Sequence, residues 1–380
     1  MTEASHRPTV AKISLDAIVK NYHNLKQYLP KGTKIYSILK SNAYGYGTVP
    51  VAKALSDAKA DAFGVAIFDE ALELRQAGIE EPILILGLSN ATMAKELAQL
   101  KLTPTISSVN WLKEAKRKLM DSKTTEELTV QLNFDSGINR TGVKSLEEGQ
   151  MIVDYLAENK AYFHLEGIYT HYATTDSLDD YSQAKLNEQM SHFEHFKENI
   201  DLSKFNHTIE WHQSNSALGL RHPEFSLDAV RLGAVLFGLS PFEEQGPLPL
   251  KLIPALEIET EIVAIKQLQA SETVSYGAAY ESYEGEWIAT IPIGYGDGWL
   301  RQYIGQNTIV GGEFAPTVGR ICMDEAMISL KREVPLGSKV TLIGKQADKV
   351  VTAEEIADNS GTINTELTNI IGLRIPRVYV

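Results

Sequence analysis

Cysteine is almost absent from this chain of 380 residues: the single one is Cys322. One thiol cannot form an internal disulfide, so no covalent staple supports the fold, and a reducing compartment is the expectation. An excess of basic residues is missing too. Lys plus Arg number 36 against 49 Asp plus Glu, a net charge of −13, which argues against binding nucleic acid or an anionic membrane. No apolar stretch reaches the ~18 residues of a membrane helix; the greasiest is Pro82–Leu88. The opening residues, Met1–Pro8, carry no apolar signal core. These absences make a cytoplasmic protein the expectation, with no nucleic acid, membrane or metal as partner. Repeats and low-complexity tracts are lacking as well. What is present is ordinary globular composition, 43% hydrophobic and 22% charged, at a length that suits two domains or a barrel with an appendage.

Residues 14–29 carry Leu15, Ile18, Val19, Tyr22, Leu25 and Leu29, a spacing of threes and fours that predicts an amphipathic helix with Ser14 as N-cap. Eight short apolar runs then recur at 34–39, 62–67, 83–86, 103–106, 128–132, 163–169, 208–211 and 230–236, most of them separated by helix-patterned stretches. Eight parallel strands with intervening helices over about 240 residues predict a (β/α)₈ barrel. The rival is an open doubly wound sheet, which would more often show G-x-G-x-x-G after its first strand. Here Lys40-Ser-Asn-Ala-Tyr-Gly-Tyr-Gly47 stands there instead. Pro241, Gly246, Pro247 and Pro249 mark a linker. Beyond it, alternation at 257–265 and strand-like runs at 287–293, 308–310, 327–330 and 339–343 predict a mostly β domain, with one helix near 352–359. The expected architecture is α/β: a barrel domain at 8–242 and a mostly β domain at 243–380.

Certain side chains stand where such a barrel opens, at the C-terminal ends of its strands. Lys40 follows the first run and suits a Schiff base with an aldehyde cofactor; a solvated surface lysine is the plain alternative. Arg140, between Gly137 and Gly142, suits an anion or phenolate, or is an exposed loop arginine. His171 ends the sixth run and suits ring stacking or orienting a base, or is a satisfied core histidine. Asn215, Ser216, Gly233 and Ala234 close the seventh and eighth runs, where barrels commonly bind phosphate. Arg231 would lie in the barrel mouth as an obligate donor. In the β region, Val274-Ser-Tyr276-Gly, Gly294-Tyr295-Gly-Asp-Gly298 and Gly319-Arg-Ile-Cys-Met323-Asp324 place reactive side chains on glycine turns.

Taken in order, Lys40-x-x-Ala-Tyr44-Gly-x-Gly, Asp135-x-Gly-x-x-Arg140, Thr170-His171, Asn215-Ser216, Val230-Arg231-x-Gly and the three β-region turns resemble the alanine racemase family, in register from Lys40 to Arg374-Ile-Pro-Arg-Val-Tyr379. The resemblance implies a pyridoxal 5′-phosphate isomerase that interconverts L- and D-alanine and supplies D-alanine for peptidoglycan. It implies a homodimer in which Tyr276 and Met323 of one subunit enter the partner's active site. Lys40 would hold the cofactor and act as one base, with Tyr276 as the other. Arg231 would meet the pyridine nitrogen with His171 alongside. Tyr44, Ser216, Gly233 and Ala234 would hold the phosphate, Asn215 would be a further cofactor contact, Arg140 would meet the phenolate, and Met323, Tyr295, Tyr276 and Arg140 would meet the substrate. Two bases on opposite faces are the direct solution to racemisation.

Three departures qualify the resemblance. Asn133 stands where the family usually has a carbamylated lysine, so a small anion such as chloride between Asn133 and Arg140 is one expectation and an Asp135–Arg140 pair is the other. Thr365 replaces a usual tyrosine, which keeps open a broader amino-acid racemase acting, for example, on serine. Tyr46 stands where histidine is common. A non-catalytic pyridoxal phosphate carrier is the rival from another class, and the β domain with Tyr276 and Tyr295 argues against it. A decarboxylase of similar architecture would need a glycine-rich phosphate run and a Cys-x-x-x-Asp segment, neither of which occurs.

Overall fold

The apolar stripe of residues 14–29 forms the helix Leu15–Tyr28, with Ser14 Oγ accepting from Ala17 N at 3.2 Å and Ile18, Tyr22 and Leu25 buried. This computed structural model describes residues 4–121, 126–242 and 247–380. The domain boundary expected after residue 242 opens onto 243–246, which, like Gly246 of the expected linker, lie outside the described residues.

One strand, β1 (Val10–Ile13), precedes that helix. Eight more follow: β2 (Lys34–Ile38), β3 (Ala62–Val65), β4 (Ile83–Leu88), β5 (Leu102–Ile106), β6 (Leu128–Asn133), β7 (Phe163–Tyr169), β8 (Glu210–Ser214) and β9 (Ala229–Leu232). They pair in parallel in chain order and close into a barrel when β9 meets β2, Lys34 opposite Ala229 through Ser37 opposite Leu232. All eight expected runs are therefore barrel strands. Two shift. The run expected at 208–211 begins at Glu210 and continues to Ser214. The run expected at 230–236 ends at Leu232, because Gly233 (φ −118°, ψ −93°) turns the chain into the short 3₁₀ helix Ala234–Phe237.

The barrel interior is divided. Tyr36, Ile38, Ala62, Leu84 and Ala229 form an apolar cluster on the side of β2, β3, β4 and β9. On the β5–β9 side the buried set is polar: Thr105, Gln131, His212 and Arg231. A barrel filled mainly by branched apolar side chains would be the simpler packing, so the polar half calls for hydrogen-bond partners at every atom.

The second unit contains β10 (Leu256–Glu261), β11 (Ala264–Gln267), β12 (Thr273–Val274), β13 (Tyr280–Glu281), β14 (Trp287–Ile291), β15 (Asn307–Val310), β16 (Glu313–Val318), β17 (Ala326–Leu330), β18 (Lys339–Gln346), β19 (Lys349–Val351) and β20 (Arg377–Tyr379). Its main sheet runs β11-β14-β17-β16-β15-β18-β10-β1-β20, so β1 joins a sheet whose other strands lie beyond residue 255. The single strand expected at 257–265 is broken in two. Ile262 N donates to Ser338 O beside β18, and Val263 N donates to Thr290 O on β14, so the chain changes partners between those residues. The expected helix appears as Ala353–Asn359, capped by Thr352 Oγ1 accepting from Glu355 N at 3.0 Å.

Candidate active site

Lys40 leaves the end of β2 at the barrel mouth and starts a turn in which Ser41, Asn42, Ala43 and Tyr44 all have φ between 50° and 57°. Left-handed backbone costs roughly 1–2 kcal/mol per non-glycine residue, so this turn needs external support. It receives it from both units. Ser41 N donates to Glu70 Oε1 at 2.6 Å, Thr48 N to Asn42 Oδ1 at 3.1 Å, and Arg377 Nε of β20 to Gly45 O at 3.2 Å. A Cβ at Gly45 would collide with Thr368 O, and one at Gly47 with the Tyr379 hydroxyl. Burial and the nearby Arg140 charge lower the pKa of Lys40, against a smaller opposing pull from Glu70. A larger share of its amine is thus unprotonated near neutrality.

Tyr44, Ser216 and Gly233 converge on one wall of the mouth. Ser216 Oγ accepts from Gly233 N at 3.0 Å, and a Cβ at Gly233 would collide with the Tyr44 hydroxyl. Ala234 follows as the first residue of the 3₁₀ helix. Asn215 caps the helix Ser216–Arg221 by accepting from Leu218 N at 3.0 Å, and its Nδ2 donates to Thr175 Oγ1 at 2.8 Å. Its side chain therefore shapes the cradle from outside. Tyr46 does not face this wall; it is buried and stacked on Phe237 at 4.4 Å, a core residue.

Arg231 is 5% exposed at the floor of the mouth. Its Nη2 donates to Thr170 O at 2.6 Å and to His171 Nδ1 at 3.3 Å, and its Nη1 donates to His212 Nδ1 at 2.8 Å. An arginine can only donate, so both histidines present unprotonated Nδ1 atoms to it and carry their proton on Nε2. Burial brings Arg231 down to about 10, which leaves it cationic. Burial first, then the charges of Arg231, Arg140 and Lys40, hold His171 down at about 3. His171 is therefore a neutral Nε2–H donor at physiological pH. His212, which the sequence reading assigned no role, is fully buried between the rings of Tyr36 and Tyr169. Its only sequence signal was a histidine on the inward side of a barrel strand.

Arg140 is exposed, as the loop-arginine reading of the sequence has it, and among the described residues it makes no ion pair. Nor does Asp135 turn toward it: Asp135 Oδ1 accepts from Gly137 N at 3.0 Å and Asn139 N at 2.9 Å. Asn133 Nδ2 donates to Thr141 O at 2.9 Å and Thr141 Oγ1 at 3.1 Å, which leaves its buried Oδ1 without a partner.

Tyr276, Tyr295 and Met323 lie on the β unit, 71%, 40% and 54% exposed. No hydrogen bond links the side chain of Tyr276 or Tyr295 to Lys40, His171 or Arg231 among the described residues. The loops bearing Tyr295 and Met323 are zipped together by Tyr295 N to Cys322 O at 3.0 Å and Gly296 N to Met323 O at 2.8 Å. Asp297 anchors the pair. Its fully buried carboxylate takes Arg7 at 3.0 and 2.6 Å, Arg374 Nε at 3.2 Å and Gly294 N at 3.0 Å. Arg374 reaches on to Asp324 at 2.7 Å. Sequence reasoning missed Asp297 and Arg7, which are 290 positions apart.

Two family descriptions match most of the chain: "Alanine racemase, N-terminal domain" over residues 13–241 and "Alanine racemase, C-terminal domain" over 255–379. The alanine racemase of Streptococcus equi subsp. zooepidemicus is 42% identical over 379 residues, with all of both chains covered. Among solved structures, alanine racemase from E. faecalis superposes with a TM-score of 0.94 at 36% identity, covering 100% of each chain. A histidine racemase from Leuconostoc mesenteroides subsp. sake superposes at 0.90 with 30% identity, covering 100% of this chain and 99% of that one. With its closed barrel, its mouth around Lys40 and its β unit bearing Tyr276, the chain belongs to the alanine racemase family.

Proposed function

We propose that this chain is a cytoplasmic homodimeric isomerase that interconverts L- and D-alanine for peptidoglycan, with pyridoxal 5′-phosphate held in the barrel mouth. The observation that carries the reading is the convergence of Lys40, the Arg231–His171 pair and the Tyr44–Ser216–Gly233 cradle on one opening. Those residues fit the cofactor. The cradle has room only because position 233 lacks a side chain, and Tyr44, Ser216 and the amides of Gly233 and Ala234 are the donors a phosphate takes. Asn215 orders the helix that carries Ser216. Arg231 would face the pyridine nitrogen without protonating it. When bound, pyridoxal phosphate supplies an aldehyde for amines and a conjugated ring that acidifies the α-C–H of an amino acid.

This chain's own groups supply the proton handling. Lys40 Nζ, with its pKa lowered by burial, takes or returns the α-proton on one face. Tyr276 of a second copy serves the other face. It needs a donor to stabilise its phenolate, and the Nε2–H of His171 is oriented for that by Arg231 at Nδ1. Tyr295 and Met323 of the second copy, with Arg140 of the first, would border the substrate carboxylate. For Asn133 and Arg140, the free Oδ1 favours a donor in the present rotamer; an anion between them requires the amide to turn and release the Thr141 carbonyl.

A second reading, broader substrate range, is favoured by the likeness to a histidine racemase and by Thr365, half-buried on the helix Asn364–Ile370. One experiment addresses both readings: racemisation of a panel of amino acids, alanine, serine and histidine included, alongside borohydride reduction and peptide mapping. Fastest turnover of alanine with the reduced cofactor on Lys40 is the expected result. Reduced cofactor on another lysine overturns the site, and faster turnover of another amino acid overturns the substrate.

A further inference from the structure

Behind Arg231 the polar half of the barrel continues away from the mouth. His212 Nε2 lies 2.8 Å from Gln131 Oε1. Gln131 Nε2 donates to Glu166 Oε2 at 2.8 Å and to the Tyr36 hydroxyl oxygen at 2.9 Å. Tyr36 spends its one proton on Glu210 Oε1 at 2.6 Å, so its oxygen is left to accept, and Lys34 Nζ also donates to it at 3.0 Å. These residues come from five barrel strands: β2, β6, β7, β8 and β9. Gln131 and His212 are fully buried.

The hydrogen-bond arithmetic of this chain is directional. Two acceptors face one end of the Gln131 amide, so that end must be the NH₂, and the other end must be the carbonyl oxygen. A carbonyl oxygen beside His212 Nε2 requires that nitrogen to carry the proton. Arg231, donating at Nδ1, requires the same tautomer from the opposite side. The ring cannot rotate away, because Tyr36 stacks on it at 5.2 Å and Tyr169 at 4.9 Å. Buried polar chains of this kind hold their members in one arrangement only when every atom is satisfied.

We propose that Gln131 and Glu166 are positioning residues for the racemase site: they hold His212 as its Nε2–H tautomer, so that Nδ1 offers Arg231 a lone pair and fixes the guanidinium in the mouth. Neither residue reaches the mouth itself. The relay also joins the buried Arg231 charge to a carboxylate across two neutral side chains, which lowers the cost of an otherwise uncompensated cation.

The test uses the holoenzyme labelled with ¹⁵N-histidine, the His212 resonances being assigned by their loss in His212→Asn. Wild type should show His212 as a single Nε2–H tautomer. In Glu166→Gln the new amide offers donor and acceptor alike, so the Gln131 amide keeps only the Tyr36 oxygen to direct it; part of the His212 population should then carry its proton on Nδ1 and give up the contact from Arg231. Turnover should fall on the order of tenfold, as for loss of a supporting partner behind a functional ligand, with KM little changed. Glu166→Asp keeps a carboxylate acceptor for the Gln131 amide and should retain the single tautomer and most of the turnover. Melting temperature is followed for all variants, and Gln131→Leu, which removes the acceptor beside His212 Nε2 and should bring in the second tautomer, carries the test if Glu166→Gln does not fold. An unchanged tautomer in Glu166→Gln, or a changed tautomer with unchanged turnover, overturns the proposal. The kinetic arm rests on the reading of the site as a racemase. A wild type without racemase activity would sink that reading, while the tautomer arm would still decide the relay.

Discussion

The barrel mouth and the exposed face of the β unit carry equally reactive residues in opposite states. At the mouth, Arg231 is buried, both of its Nη nitrogens are engaged, and His171 is held neutral by burial and neighbouring cations. On the β face, Tyr276 is 71% exposed and Met323 54%. Yet that face is not soft: a fully buried Asp297, clasped by Arg7 and Arg374, holds the Tyr295 and Met323 loops together. Rigid support under exposed reactive groups is what a surface completing another subunit's site requires. In the proposed dimer the mouth would handle the cofactor within one chain, and the second face of the substrate would be left to the neighbour.

The sharpest way to break this contrast is to mix subunits. Tyr276→Phe alone should lose ~10²–10⁴-fold in racemisation, the range for a general base, while still binding cofactor. Mixed with Lys40→Ala, it should recover activity, because one site of the mixed dimer keeps both bases. Activity that stays absent on mixing, or a fully active monomer by light scattering, would place both bases in one chain.

Asp297→Asn tests the anchoring of the β face. Removing the charge between two guanidinium groups should cost ~3–5 kcal/mol, as for other broken buried ion pairs, read as a lower melting temperature. Cofactor absorbance at the mouth should survive wherever the protein is folded. If cofactor binding falls in step with stability, the two regions are not separable.

Gly233→Ala acts on the mouth alone. Overpacking the cradle against Tyr44 by ~1–3 kcal/mol corresponds to about 5- to 160-fold in cofactor affinity, measured by titrating the apoenzyme. Unchanged affinity would remove Gly233 and Tyr44 from the phosphate site. The smallest effect concerns Asn133 and Arg140. An anion bridging them should alter activity by about twofold to fivefold between chloride and acetate at constant ionic strength, the scale of an exposed ion pair. No response to halide, together with the Asn133 amide still on Thr141 in a crystal soaked in bromide, would remove the anion site.

Periodicity along the chain was enough to read eight barrel strands and a β unit, because burial of one face imposes its repeat on each element in turn. Motif order brought Lys40, Arg231 and Tyr276 forward as candidates, since each stands on a turn or near a strand end. Composition could not reveal that Tyr46 is a core residue or that Arg140 is exposed. Both depend on which face of a loop the rest of the fold covers.

What the sequence by itself determined is local: helix caps such as Ser14 and Thr352, strand periodicity, and which residue types could handle protons or phosphate. Only the tertiary structure decided the partnerships, because hydrogen bonds and ion pairs depend on distance in space and not along the chain. Arg7 meets Asp297 across 290 positions, β1 enters a sheet otherwise built beyond residue 255, and β20 braces the turn at Lys40. The same holds for His212. Its tautomer is set by an arginine on one strand and a glutamine on another, and barrel closure alone brings those two to opposite sides of one ring.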